Sequence, residues 1–158
     1  MKKIIITVLA IPLLLCASCA INAPKTTLGS LAQVEKKEQV VTDEAGTIKA
    51  EAEQILYLLS FEGQKEIKYE PDSSSYYPLV DSSGQQYLPV FMGSPNNDGT
   101  LAGKEWKLNG SMTAKENGKL VFVGTATLPT PKAVFVYAVP KNASGLALKD
   151  GDQTYPIS

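Results

Sequence analysis

Short apolar runs separated by turn-forming residues dominate this chain from residue 64 onward. The run AVFVYAV at residues 133–139 is rich in β-branched and aromatic residues and stops at Pro140. Such a run favours a central strand. Several short strands at intervals of about ten residues predict a mainly β protein, an antiparallel β-sandwich.

The first predicted hairpin lies around the turn sequence DSSG at residues 81–84. Residues 79–80 precede this turn and residues 87–91 follow it, and both segments are apolar or aromatic. A short loop that contains Gly is typical of a hairpin. Pro78 and Pro89 cannot donate a ladder hydrogen bond, so we expect this hairpin at a sheet edge.

Two further hairpins are predicted by their turn residues. Asn117 and Gly118 lie between residues 112–114 and 120–123, and Asn-Gly suits a type I′ turn because both central residues of that turn take positive φ. The C-terminal stretch GLALKDGDQTYPI has the turn pair Asp-Gly before a short terminal strand.

Residues 47–60 fit two structures. As a helix, the segment has a cap at Thr47, an apolar stripe and a Lys49–Glu53 pair at i,i+4. As a strand, apolar and polar residues alternate, and the phase changes near Gln54, which requires a bulge. We choose the strand, because a sandwich needs a partner sheet.

The N-terminus has the features of a secretory signal peptide. Lys2 and Lys3 precede an apolar run from Ile4 to Leu15, which is too short for a transmembrane helix of roughly 20 residues. The small residues Ala17 and Ser18 follow and lead to Cys19. Residues 1–18 are therefore predicted to be a signal peptide.

This cleavage region resembles a bacterial lipobox, with Cys16 where Leu is usual. The resemblance implies that Cys19 becomes the lipid-modified N-terminus of a protein in a bacterial cell envelope, facing outside the cytoplasm. The alternative is ordinary cleavage after Ala20 or Ala23. Residues 19–40 are rich in Pro, Ser, Thr and charge, so they are predicted to be a flexible tether, with the domain at residues 41–158.

The composition removes several function classes. The chain has no His, and its 15 basic residues are all Lys. His is the usual general base and metal ligand near neutral pH, and Arg is the usual bidentate clamp for phosphate. With a formal net charge of −1, the chain lacks the excess of basic residues that is typical of a nucleic-acid binder. We expect no cofactor and no nucleic-acid partner.

The stretches YPLVDSSGQQYLPVF and LPTPKAVFVYAVPKNASGLALKDGD carry a second resemblance. An aliphatic strand that runs into an Asp-Ser-Gly turn and a Tyr, and a later strand that ends in Val-Pro-Lys, are similar to small immunoglobulin-like domains behind bacterial lipoprotein signals. The resemblance covers about residues 75–158. It implies a β-sandwich and no catalytic residues.

The candidate contact residues are aromatic. Tyr and Trp anchor contacts at low entropic cost, so an aromatic platform for a glycan or an envelope protein is a candidate site. Its residues would be Tyr76, Tyr77, Tyr87 and Trp106. The alternative is that most of these rings pack in the core or cover sheet edges.

Oxygen-rich residues suggest weaker candidates. Asn96, Asn97 and Asp98 next to Gly99 are donors that Ca²⁺ accepts, but a polar turn is the simpler interpretation, and we predict no metal site. The acidic pairs at residues 51 and 53 and at residues 150 and 152 could serve as glycosidase carboxylates, although solvated edge charges are commoner.

Together these features predict a non-enzymatic, membrane-anchored binding or structural module outside the cytoplasm. The alternative function is a carboxylate-based hydrolase or a carbohydrate-active protein of the envelope. An enzyme of that kind needs a concave pocket with two facing carboxylates.

Overall fold

A computed structural model describes residues 25–43, 46–69, 77–103, 107–114 and 120–157. All regular elements of these residues are β-strands. The strands are β1 (Lys25–Thr26), β2 (Gly29–Lys37), β3 (Gln39–Thr42), β4 (Gly46–Lys49), β5 (Gln54–Gly63), β6 (Glu66–Tyr69), β7 (Leu79–Val80), β8 (Gln86–Tyr87), β9 (Pro89–Pro95), β10 (Leu101–Ala102), β11 (Lys107–Ala114), β12 (Leu120–Thr127), β13 (Lys132–Pro140), β14 (Ala147–Asp150) and β15 (Gln153–Pro156).

These strands form three sheets, so the mainly β prediction is confirmed. The largest sheet has the order β1-β2-β5-β13-β9-β10-β3-β4, and the two smaller sheets have the orders β11-β12-β6 and β15-β14-β7-β8. Every strand pair is antiparallel except β10 with β3, which pair in parallel at Leu101 and Thr42. The arrangement is that of a β-sandwich, since the large sheet packs one face against the smaller sheets.

The large sheet coils strongly. Only Glu38 separates the end of β2 from the start of β3, although β2 lies near one end of the strand order and β3 near the other. A covalent link of this length brings the two ends of the sheet together, and the usual twist of neighbouring strands provides the curvature. The coiled sheet therefore has a concave inner face and an outer face.

The central strands β5 and β13 are buried on both faces. Tyr57, Leu59 and Phe135 belong to the core between the large sheet and the smaller sheets. Leu58 and Val136 belong to a second apolar cluster, on the concave face. Two-sided burial explains why residues 133–139 form a continuous apolar run instead of alternating with polar residues.

The predicted hairpins agree with the observed pairing. Leu79 and Val80 of β7 pair with Tyr87 and Gln86 of β8, and β8 is the last strand of its sheet. The edge prediction is wrong for Pro89, which begins β9 and pairs with Tyr137 of β13 inside the large sheet, so residues 89–91 do not extend this hairpin. The strand β11 pairs with β12 along its length, while residues 117 and 118 lie outside the described residues. At the C-terminus, β14 pairs with β15.

The strand prediction for residues 47–60 is confirmed, but the predicted bulge is wrong. The strands β4 and β5 are separated by a turn, in which the backbone N–H of Gln54 donates to the carbonyl of Glu51 at 2.9 Å. The phase of the apolar residues changes because this segment forms two strands with different partners. The strand β4 pairs with β3, whereas β5 pairs with β13, so each strand has its own set of inward-facing positions.

The flexible tether predicted for residues 19–40 is wrong from Lys25 onward. Nine residues form β2, which pairs with β5 along its length, and Leu28 and Leu31 are buried in the core. Few residues of this segment are apolar, so its alternation is weak, and its strand structure depends on the partner β5. Residues 1–24, with the predicted signal peptide and Cys19, lie outside the described residues.

Candidate functional site

The predicted aromatic platform does not form around Tyr77. The Tyr77 side chain is only 4% exposed, and its ring meets Phe135 edge to face with centroids 5.6 Å apart. Its hydroxyl lies 3.1 Å from the Thr27 hydroxyl. Tyr77 is a core residue, so its assignment as a contact residue is wrong. Tyr76 and Trp106 lie outside the described residues.

Tyr87 belongs to the β7–β8 hairpin. It is half-buried, and its hydroxyl donates to Asp81 Oδ2 at 2.8 Å. The hydrogen bond to the Asp81 carboxylate raises the pKa of the Tyr87 hydroxyl, since the anionic partner favours the protonated form. Tyr87 therefore stabilises the turn with its hydroxyl, and only part of its ring is accessible to a partner.

The candidate calcium loop is a compact polar turn between β9 and β10. Asp98 Oδ1 accepts from the backbone N–H and the hydroxyl of Thr100 at 3.0 and 2.7 Å, and Asn96 Nδ2 donates to the same hydroxyl oxygen at 2.9 Å. The two bonds from Thr100, the backbone N–H first, lower the pKa of Asp98. The polar groups thus stabilise the turn itself, and within the described ranges no three acidic side chains cluster as metal ligands would.

The acidic residue Asp150 joins the two ends of the domain. Its Oδ2 accepts from the backbone N–H of Thr27 and its Oδ1 from the Thr27 hydroxyl, both at 2.7 Å. This carboxylate holds the β1–β2 turn against the β14–β15 hairpin. The Asp150 carboxylate is thus hydrogen-bonded to Thr27 in the β1–β2 turn. The other acidic pair, Glu51 and Glu53, is exposed in the turn before β5.

A cleft of about 500 Å³ opens on the concave face of the coiled sheet. Its lining residues come from the strands β2, β3, β5, β9, β10 and β13 and from the β9–β10 turn. They include Ala32, Gln33, Glu35, Lys37, Gln39, Val40, Val41, Leu58, Ser60, Glu62, Asp98, Thr100, Leu101, Lys132 and Val134. Clefts of this size are the usual places for ligands.

The strand register explains which side chains face the cleft. Gln33 pairs with Ser60, Glu35 with Leu58 and Lys37 with Leu56, and directly paired residues share one face of a sheet. Because Leu56 and Leu58 belong to the cluster on the concave face, the polar side chains of β2 form a wall beside an apolar floor.

The lysines and glutamates of the cleft form ion pairs with one another, and Asp98 accepts hydrogen bonds within the β9–β10 turn. Lys37 Nζ lies 2.7 Å from Glu35 Oε2, and Lys132 Nζ lies 3.1 Å from Glu62 Oε1. Gln33 donates to Glu35 Oε1 at 2.5 Å. The rim thus carries both signs of charge in adjacent pairs and offers amide and hydroxyl groups between them.

The sequence predictions missed this cleft. Its wall lies in the segment predicted as a tether, and the other residues come from strands far apart in the chain. One signal was available, since Gln33, Glu35 and Lys37 alternate with Val34 and Lys36 in the strand period. A single apolar residue in that alternation is too weak to define a buried face.

Comparisons of the chain with protein-family models, with curated proteins and with solved structures find no match. No helix among the described residues has the length and apolar character needed to cross a membrane.

Proposed function

We propose that this protein is a non-enzymatic binding module, anchored by a lipid in a bacterial cell envelope, and that the cleft is its binding site. The observation that carries the proposal is the cleft itself, a concave surface with an apolar floor of Leu58, Leu101 and Val134 and a polar rim. Ligand sites commonly combine an apolar floor with a few placed polar groups.

The carboxylates of the cleft favour binding over hydrolysis. Glu35 and Glu62 are each paired with a lysine, and Asp98 accepts two hydrogen bonds from Thr100. A glycosidase acid needs a raised pKa so that it can carry a proton at neutral pH, whereas the pKa of Asp98 is lowered. The carboxylate-based hydrolase or carbohydrate-active enzyme is therefore the less supported alternative.

Lipid attachment at Cys19 would place the domain close to the membrane surface. The first described strand begins at Lys25, whose carbonyl accepts from the Tyr155 hydroxyl at 3.2 Å, and Thr27 is held by Asp150. Six residues reach at most about 21 Å when fully extended. The binding surface would thus work near the lipid headgroups instead of at the end of a long tether.

The binding proposal is tested with a variant that fills the cleft. Ser60 is half-buried on β5, so Ser60→Tyr puts a ring on the floor, while Thr47→Tyr on the exposed strand β4 is the matched control. The full chain, purified in mild detergent, is incubated with envelope extract and analysed by native mass spectrometry. A component kept by the wild type and Thr47→Tyr but lost by Ser60→Tyr, at an unchanged Tm, supports the cleft. Equal retention by all three proteins contradicts it.

The anchoring proposal is tested by mass spectrometry of the membrane-bound protein. We expect an N-terminal Cys19 that carries the mass of its acyl groups, and we expect Cys19→Ser to release the domain from the membrane fraction. An unmodified N-terminus at Ile21 or Pro24 would show ordinary cleavage instead.

A further inference from the structure

We propose that the ligand of the cleft is an extended peptide, neutral or weakly basic, that adds a strand to the open edge of β2. This inference rests on the proposed binding function and names the ligand class for the same site.

The first observation is the open edge. The strand β2 pairs with β5 on one side from Gly29 to Lys37, whereas β1 covers only Gly29 and Ser30 on the other side. Within the described residues, the outer backbone groups from Leu31 to Lys37 have no ladder partner. Such a row of N–H and C=O groups recognises another extended backbone.

The second observation is the shape of the cleft. Ala32 and Lys37 both line it, and the five residue steps between them span about 17 Å at roughly 3.3 Å per residue. The cleft is therefore elongated along a strand. A peptide of five or six extended residues, about the same length, fits such a shape better than a compact molecule does.

The third observation is the chemistry of the lining. The acidic residues Glu35, Glu62 and Asp98 outnumber the two lysines of the cleft, so the site disfavours an anionic polymer and suits a neutral or weakly basic chain. Phe61 also borders the cleft, but its side chain is 1% exposed and packs in the opposite core. Among the described lining residues no accessible aromatic ring is available to stack on a sugar.

The edge also has features that oppose pairing with a second copy of this chain. The register of β2 shifts between Leu31 and Gln33, and Lys36 and Lys37 follow on the same strand. Irregular, lysine-bearing edges discourage indiscriminate sheet extension. A single flexible peptide can follow such an edge from within the cleft, whereas a rigid strand of another folded domain cannot.

The test begins with a phage-displayed library of twelve-residue peptides. The library is selected on the full chain in detergent and counter-selected on Ser60→Tyr, with Thr47→Tyr as the control. Enriched peptides are synthesised with N-methyl groups at successive positions, and affinities are measured by fluorescence anisotropy. We expect N-methylation to weaken binding about tenfold at alternate residues, since each such residue loses one hydrogen bond. Amide exchange of residues 31–37 should slow when the peptide binds.

The outcomes separate this inference from the proposed function. N-methyl effects without the alternation, or unchanged exchange of residues 31–37, overturn strand addition. If no peptide enriches while an envelope component or a chitin hexasaccharide still binds in a Ser60→Tyr-sensitive way, the peptide inference fails and the cleft remains a binding site. If neither peptides nor envelope components distinguish the wild type from Ser60→Tyr, both proposals fail.

Discussion

Asp81 organises the loop between β7 and β8 through four hydrogen bonds. Its Oδ1 accepts from the backbone N–H groups of Ser83 and Gln85 and from the Ser83 hydroxyl, and its Oδ2 accepts from Tyr87. The hydroxyl groups of Ser83 and then Tyr87 contribute most to lowering the pKa of Asp81 to about 2. The carboxylate form is therefore favoured in the folded state.

We predict that Asp81 makes the stability of the folded protein depend on pH in the acidic range. Because its folded-state pKa is lower than its unfolded value of 3.8, its contribution is present above about pH 4 and is lost as pH falls towards 2. Thermal melts between pH 5 and 2 should show a smaller decline in Tm for Asp81→Asn than for the wild type. Ser83→Ala should show a decline between these two, because loss of the Ser83 hydroxyl moves the folded-state pKa of Asp81 back towards 3.8. Ser82→Ala, in the same turn, should decline like the wild type. Equal declines in all four proteins would contradict this.

Tyr137 supports an unusual backbone conformation at Tyr77. The Tyr77 φ angle is 47°, in the left-handed region that residues with a Cβ seldom adopt, and the buried Tyr137 hydroxyl donates to the Tyr77 carbonyl at 2.7 Å. Tyr137→Phe should lower the free energy of unfolding by about 1–3 kcal/mol, because that carbonyl loses a buried donor. Urea unfolding measures the change. Tyr57→Phe, a change of the same type on β5, should cost less than about 0.5 kcal/mol; similar losses in both would show that the Tyr77 bond is unimportant.

At the scale of elements, β13 differs from an ordinary sandwich strand because both of its faces are buried. Phe135 packs towards the smaller sheets and Val136 towards the concave face, and each is 0% exposed. An ordinary half-exposed strand would tolerate a polar residue at every second position. We expect β13 to tolerate a polar residue on neither of its two faces.

We therefore predict that Phe135→Asp and Val136→Asp both unfold the protein. Burial of an unpaired carboxylate costs several kcal/mol, which is comparable with the whole stability of a domain, about 5–15 kcal/mol. Val90→Asp on β9, where the side chain is 52% exposed, is the control and should remain folded. Thermal melts followed by circular dichroism test both variants. A folded Val136→Asp protein with the wild-type Tm would show that this side chain lies outside the apolar cluster on the concave face.

The strand β2 also depends on close contact with its partner. Gly29 has φ of +114°, and a Cβ built there would lie against the carbonyl oxygen of Glu62 on β5. Only Gly accepts this conformation and approach without strain. The start of β2 is thus determined by a neighbour that is far away in the sequence.

At the scale of the whole molecule, the Thr27–Asp150 contact holds the N-terminal hairpin to the C-terminal hairpin across 123 residues of sequence. We predict that Asp150→Ala loosens the N-terminal turn without unfolding the domain. The Thr27 amide should exchange about fivefold faster or more, because local openings become more frequent. Exchange measured by NMR, with Asp152→Ala as the control in the same turn, tests this. Unchanged exchange at Thr27 in Asp150→Ala would show that other contacts hold the turn.

The amino-acid sequence by itself determined the mainly β class, the β13 strand and the pairing of the hairpins, because these depend on neighbouring residues. Leu79 and Val80 pair across DSSG with Tyr87 and Gln86, and β-branched residues favour strands wherever they lie. The tertiary structure alone decided that Gln33, Glu35 and Lys37 line a cleft and that Tyr77 is a core residue. The weakly patterned β2 becomes a strand only when β5 supplies its hydrogen bonds, and a side chain is buried only when distant strands cover it. Because burial and cleft geometry are set by contacts between segments far apart in the chain, local sequence patterns cannot specify them.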